Sequence, residues 1–267
     1  MNYALSYKQP TPKRLVLSLL SAPGMESITA RQCVDWGCLF TIDPAAMRVA
    51  VGRMVKDQYL SSRRRGVYAI GPKGVVLSRT ARSWVDAERR VCDWEGAWIL
   101  AQTAHLGRSN KAALRSREHA LRLEGFAQLH AGIWCRPGNF SEPLATTRKR
   151  LLSLGLDASA LILRVDELLG MLVEPQTLWP RREREERYAM LTEAMRESVQ
   201  RLADLDVEDA ARETFLIGEA VIRQINADPL LPDAMIDALA RRTMIATMLE
   251  YDVRGRDAWT RFQQMSE

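Results

Sequence analysis

The stretch from Asp43 to Tyr68 constrains this chain most, because it couples a helix with an unusually bare outer face to a basic hairpin. Asp43 followed by Pro44 is a helix start: the Asp side chain can accept from an orphan backbone N–H, and proline's fixed φ and missing N–H suit the first helical position. The spacing predicts a helix to about Tyr59. Met47, Ala50, Val51, Met54 and Val55 recur on one buried stripe, while Ala45, Ala46, Val49, Gly52, Arg53 and Lys56 point away and Arg48 lies at the stripe's edge. Tyr59–Ser62, Arg63–Gly66 and Val67–Ile70 then read as strand, glycine-containing turn and strand, with Arg63, Arg64 and Arg65 at the tip. Small outward side chains let a helix backbone approach a surface closely, and the B-DNA major groove, about 12 Å wide, admits a helix.

The elements before this stretch give it an orientation. Pro12–Ser21 carries Leu15, Val16, Leu19 and Leu20 at helical spacing and ends at Ala22-Pro23-Gly24. Thr29 with Gln32 three positions on forms a capping box for a second helix to about Trp36, where Gly37 is a natural stop. Three helices and a hairpin in this order predict a winged helix-turn-helix over residues 1–74, its third helix in the major groove and its wing on the backbone. Charge agrees: residues 1–84 hold 13 Lys and Arg against 4 Asp and Glu, leaving 25 against 29 for the rest. A basic face confined to one end is what phosphate contact needs, although a solvated charged surface would have the same composition. Arg48 and Arg53 are the candidate contacts on the helix, and Arg63, Arg64 and Arg65 on the wing, toward phosphates or the adjacent minor groove.

Residues 75–93 read as a connecting helix. Residues 94–170 follow the order β-α-β-β-α-β, with strands at Trp98–His105, Phe126–His130, Ile133–Arg136 and Ala160–Val165 and helices at Asn110–Leu123 and after a Ser141 cap; this predicts a ferredoxin-like middle domain. Residues 171–267 are expected to be all helical, jointed at Pro180, Asp228-Pro229 and Leu231-Pro232, with helices at about Val207–Ala227, Asp233–Tyr251 and Arg256–Gln264. The fold class is therefore α+β.

Several stretches together resemble the PaaX family of bacterial transcriptional repressors, the phenylacetic-acid-degradation type. They are Thr11–Leu20, Met47–Ala50 with Gly52–Val55, Arg65–Tyr68, Leu121–Phe126, Gly132–Pro137 with Asn139, and Asp228–Pro232. The resemblance spans nearly the whole chain. It implies a homodimeric repressor that binds double-stranded operator DNA and is released by an aryl- or acyl-CoA thioester. The chain departs from the family at Met235–Leu239, where the family tends to carry a tryptophan-proline-glycine step.

Trp134, Arg136 and Asn139, with Tyr188, are candidate ligand contacts: an aromatic ring, a cation and an amide suit an anionic thioester with a flat acyl group. Core packing and turn fixing are the alternative roles for the same residues. Four cysteines, at 33, 38, 92 and 135, have neither CxxC nor zinc-ligand spacing and read as buried thiols of a reducing cytosol. His105, His119 and His130 are scattered with no triad or metal partners, so no catalysis, metal or cofactor is expected. No stretch approaches membrane-spanning length, and the expected place is the cytoplasm. Two other readings stay open. One is a metal-dependent nuclease acting on nucleic acid, which would need paired carboxylates that the first middle strand does not offer; the other is a partner-docking C-terminal module without a small ligand.

Overall fold

The structure, a computed structural model, describes residues 7–169 and 174–265. It is α+β, with two small antiparallel sheets and several helices. The chain divides into two compact units, residues 1–85 with 192–222 and 246–267, and residues 86–191 with 223–245. The helices expected as a separate domain at 171–267 are thus divided between them, and the expected boundary at 170/171 lies outside the described residues. No helix among the described residues is long and apolar enough to cross a membrane.

The first unit begins with α1 (Pro12–Leu20), capped by Thr11, whose side chain accepts from Arg14 N. A short strand, β1 (Ile28–Thr29), precedes α2 (Ala30–Leu39), and α3 spans Pro44–Lys56. The expected capping box is formed: Thr29 N donates to Gln32 Oε1 at 2.8 Å and Gln32 N to Thr29 Oγ1 at 3.1 Å. Gly37 does not stop α2. A Cβ there would lie 2.8 Å from Met47 Cε, so this glycine serves the close packing of α2 on α3, and the helix runs one further half-turn. β2 (Leu60–Arg64) and β3 (Val67–Ile70) form a hairpin, and β1 adds antiparallel to β3, giving the order β1-β3-β2. The predicted connecting helix is instead α4 (Pro72–Ala81), packed on α1 and β2, followed by short 3-10 turns. Gly74 explains its position: a Cβ there would stand 2.3 Å from Tyr59 O, so α4 sits against the start of the hairpin rather than leaving it.

The core of this unit gathers Leu15, Val16 and Leu19 of α1, Trp36 of α2 and Met47, Val51 and Met54 of α3. Two long helices complete it: Phe215 from α8 (Val207–Asn226) and Trp259 from α9 (Ala238–Met265). Trp259 meets Trp36 and Phe215 edge-on, with centroids 5.9 and 6.0 Å apart. The two terminal helices expected at 233–251 and 256–264 are one continuous α9, since Gly255 does not interrupt it, and its start is set by Asp237, whose Oδ1 accepts from Ala240 N at 3.1 Å, not by Asp233.

The second unit holds β4 (Trp98–Gln102), α5 (Lys111–Leu123), β5 (Ala127–His130), β6 (Ile133–Pro137), α6 (Leu144–Ser153) and β7 (Leu161–Val165). All neighbours in its sheet are antiparallel, in the order β5-β6-β4-β7. Ile99, Ala101, Ala120, Leu121, Trp134 and Leu151 form the core between the sheet and its helices. Ser141 is no cap: α6 starts behind Pro143, without a side-chain cap, and Ser141 bonds the Arg90 carbonyl through its N–H at 3.0 Å. The first half of α7 (Arg181–Arg201) and residues 223–245 finish this unit. Of the four thiols, only Cys33 and Cys135 are buried; Cys38 and Cys92 are exposed because one lies on the outer side of α2 and the other in the loop before β4. Burial pushes the two inner thiols up to about 12.

Candidate nucleic-acid interface

Asp43 caps α3 by accepting from Ala46 N at 2.8 Å, and Pro44 holds the first turn. Burial then sorts the helix: Met47, Val51 and Met54 are inside, whereas Ala45, Ala46, Arg48, Val49, Gly52, Arg53 and Lys56 are all exposed. Val49 is 55% exposed in the middle of this face. Gly52 is in the helix interior, and a Cβ placed on it would meet nothing within 4 Å, so packing does not call for a glycine there. The outward surface of α3 is therefore flat, partly apolar and edged by cations, as the spacing of the sequence implied.

The hairpin continues this chemistry. Arg63 and Arg64 close β2, Arg65 and Gly66 make the turn, and all three arginines are exposed. Gly66 has φ +74°, a conformation that a side chain would strain. A register shift between Ser62 and Arg64 adds local twist near the tip. Arg63 approaches Glu26 at 3.7 Å, an exposed pair of little energetic weight. Among the described residues Arg48, Arg53, Lys56, Arg64 and Arg65 have no acidic partner. The contrast with α7 is direct: there Arg181 pairs with Glu185 and Arg182 with Glu186 one turn on.

The four residues expected to line a ligand pocket do different work. Trp134 is buried in the helix-covered face of the second sheet. Arg136 is 1% exposed and donates to Glu124 O at 2.6 Å, Pro137 O at 3.2 Å, Asn139 Oδ1 at 3.2 Å and Pro229 O at 3.3 Å. Asn139 donates to Leu230 O at 2.7 Å, and Arg241 Nη1 to Leu231 O at 2.6 Å. Three successive carbonyls of the Pro229–Leu231 loop thus each receive a side-chain donor. Tyr188 donates to Asp228 Oδ2 at 2.5 Å at the start of that loop. The Gly-Phe, Trp-Cys-Arg-Pro and Asp-Pro-Leu-Leu-Pro stretches that carry the sequence resemblance are consequently parts of one internal lock: a Cβ on Gly125 would lie 2.8 Å from Pro229 Cα. Burial pulls the Arg136 guanidinium down to about 9, with Glu124 opposing, and pushes the Asp228 carboxyl up. These donors are already committed to the chain, so the anion-binding role expected for Arg136 has no free hydrogen-bonding edge.

Sequence reasoning missed the lock because no local pattern links residue 136 to residue 229. It also missed Arg241, which pairs with Glu88 at 2.6 Å and is fully buried. Among the described residues no group of three or more His, Cys, Asp or Glu side chains is arranged to hold a metal ion.

The chain matches no protein-family model, and no curated protein matches it. Among solved structures it is similar to the uncharacterized protein Rv0674 from Mycobacterium tuberculosis, at 22% identity and TM-score 0.60, covering 93% of this chain and 99% of that one. At that identity the likeness concerns the fold alone.

Proposed function

We propose that this chain is a transcriptional regulator that binds double-stranded operator DNA as a homodimer. In this reading the segment from α1 to β3 is a winged helix-turn-helix, with α3 in the major groove and the β2–β3 hairpin as the wing, and the β4–β7 sheet with α5 and α6 is a ferredoxin-like module. The observation that carries the reading is the exposed, bare face of α3, edged by Arg48, Arg53 and Lys56 and continued by Arg64 and Arg65 of the hairpin, none of which has an acidic partner among the described residues. On α7, by comparison, Arg181 and Arg182 are neutralised by glutamates one turn on. The aryl- or acyl-CoA effector that the sequence resemblance implies is part of the proposal only as an effector; the lock around Arg136 offers it no seat.

Fluorescence anisotropy on DNA from upstream of the protein's own coding region tests this. Each cation neutralising a phosphate contributes about 0.9 to the slope of log K against log salt, so Arg53→Ala should weaken binding and lower that slope by about 1. Affinity that ignores both salt and Arg53→Ala refutes the proposal. A footprint with two half-sites related by a dyad is expected from a two-fold dimer.

A further inference from the structure

The first unit contains a cleft that DNA contact does not use. Its volume is about 400 Å³, within the range of small-molecule sites, and it lies among the last turn of α1, the turn that follows, α8 and α9. Its walls include Leu19, Phe215, Ile222, Met248 and Trp259.

Two glycines shape it. Gly218 lies in the interior of α8 and Gly255 in that of α9, where glycine lowers helix stability relative to alanine. Close packing does not demand either one. A Cβ on Gly218 would meet Met248 Cε at 3.5 Å and one on Gly255 would meet Thr214 Cβ at 3.5 Å, both ordinary contacts. Both residues line the cleft, so what their missing side chains leave is room inside it.

The polar lining has a definite chemistry. Glu219 accepts from Ser18 Oγ at 2.6 Å and pairs with Arg14, and Asp252 lies 3.3 Å from Arg256. Each acid is thereby paired with an arginine. Carboxylates accept hydrogen bonds and never donate them while ionised. The Asp252 side chain is 37% exposed, so one side of its carboxylate is open to the cleft beside Arg256. A ligand end that donates can bond that open side, while an anionic end would lie against its charge.

We propose that this cleft binds a compact aromatic molecule whose polar end is a hydrogen-bond donor, an alcohol or an amine, with the ring against Phe215 and Trp259 and the donor at Asp252. A carboxylate would set its charge against Asp252 and Glu219, and a coenzyme A thioester is in addition too large for the cleft. α1 packs on α3, so occupancy of the cleft touches a helix that supports the proposed DNA-reading face. That effector role rests on the DNA-binding reading; occupancy of the cleft does not.

The test uses the full-length protein without DNA, titrated by calorimetry and thermal shift with four probes that share one ring: 2-phenylethanol, phenethylamine, phenylacetate and phenylacetyl-CoA. The alcohol and the amine should bind saturably and raise Tm, and the two anions should not. Asp252→Asn should weaken phenethylamine by about tenfold or more, the loss expected for a charge-assisted bond, while affecting 2-phenylethanol less. Gly218→Ala combined with Gly255→Ala should raise the Tm of the unliganded protein and weaken both donors. The proposal is overturned if the anions bind as well as the donors, if none of the four binds, or if the alanine pair leaves affinity unchanged. Should a variant fail to fold, the ranking of the probes on the natural sequence still decides. Loss of DNA binding alongside the expected ranking would remove the effector role and leave the site.

Discussion

Replacing Arg136 by methionine isolates the lock that joins residues 124–139 to the Pro229–Leu231 loop. The guanidinium donates to two backbone carbonyls outside its own strand, Glu124 O at 2.6 Å and Pro229 O at 3.3 Å, and Glu124 is the residue that ends α5, where carbonyls lack helical partners. Methionine fills similar volume but satisfies neither, and each orphaned buried acceptor costs about 1–3 kcal/mol. Stacking of the guanidinium on Phe140, with its carbon 3.5 Å from the ring centroid, is lost as well. Two effects act the other way. The charge no longer has to be buried, and no acid is stranded, because the Glu124 carboxylate keeps Arg90 at 3.4 Å and Arg150 at 3.0 Å. The balance is a loss of about 3 kcal/mol. With a urea dependence of about 2 kcal/mol per molar for a unit of this size, the midpoint of the second unit's transition should fall by about 1.5 M at unchanged slope. Arg136→Lys should not rescue it, since a single ammonium cannot span the four acceptors. A midpoint within a few tenths molar of the parent for Arg136→Met, or full stability for Arg136→Lys, would refute the account of this residue as a structural clamp.

Three further outcomes follow from individual side chains. Gly52→Ala should stabilise the protein by up to about 1 kcal/mol, because a Cβ there meets nothing and alanine is the better helix former, yet reduce DNA affinity if close approach of α3 matters; parallel melting and anisotropy measurements separate the two effects. Gly74→Ala should destabilise the first unit by about 2 kcal/mol or more, since its Cβ would sit 2.3 Å from the Tyr59 carbonyl, a backbone atom that cannot swing aside; a melting temperature equal to the parent's would contradict this. Tyr188→Phe removes a donor to Asp228, whose folded-state pKa is already raised by burial. A carboxyl with a raised folded pKa contributes most below its unfolded pKa and least above its folded one, and losing the tyrosine raises it further, so the melting-temperature deficit of Tyr188→Phe should be larger at pH 8 than at pH 5.

What could be read from the sequence divides by the range of the interactions involved. α3 and its exposed face were legible because cap, stripe and bare surface all follow from contacts three or four residues apart, and the capping box at Thr29 for the same reason. The strand and helix order of the second unit was legible from short apolar runs, with only two residues between Phe126–His130 and Ile133–Arg136. Gly37 was misread as an interruption, because glycine's local preference to end a helix is indistinguishable in sequence from its use where another element takes the place of a side chain. Arg136 was left between two roles, ligand contact and turn fixing, for an instructive reason. An arginine beside a tryptophan and an asparagine carries the same donors whether they face a ligand or a loop ninety residues away, and only the position of Pro229 decides which. The sequence resemblance could not decide it either, since an internal clamp keeps its residues together just as a binding site does. In this chain the stretches that carry the resemblance in the second unit build the clamp, so the residues to test for contact with an external partner are those of α3 and its hairpin, which no internal bond of this kind engages.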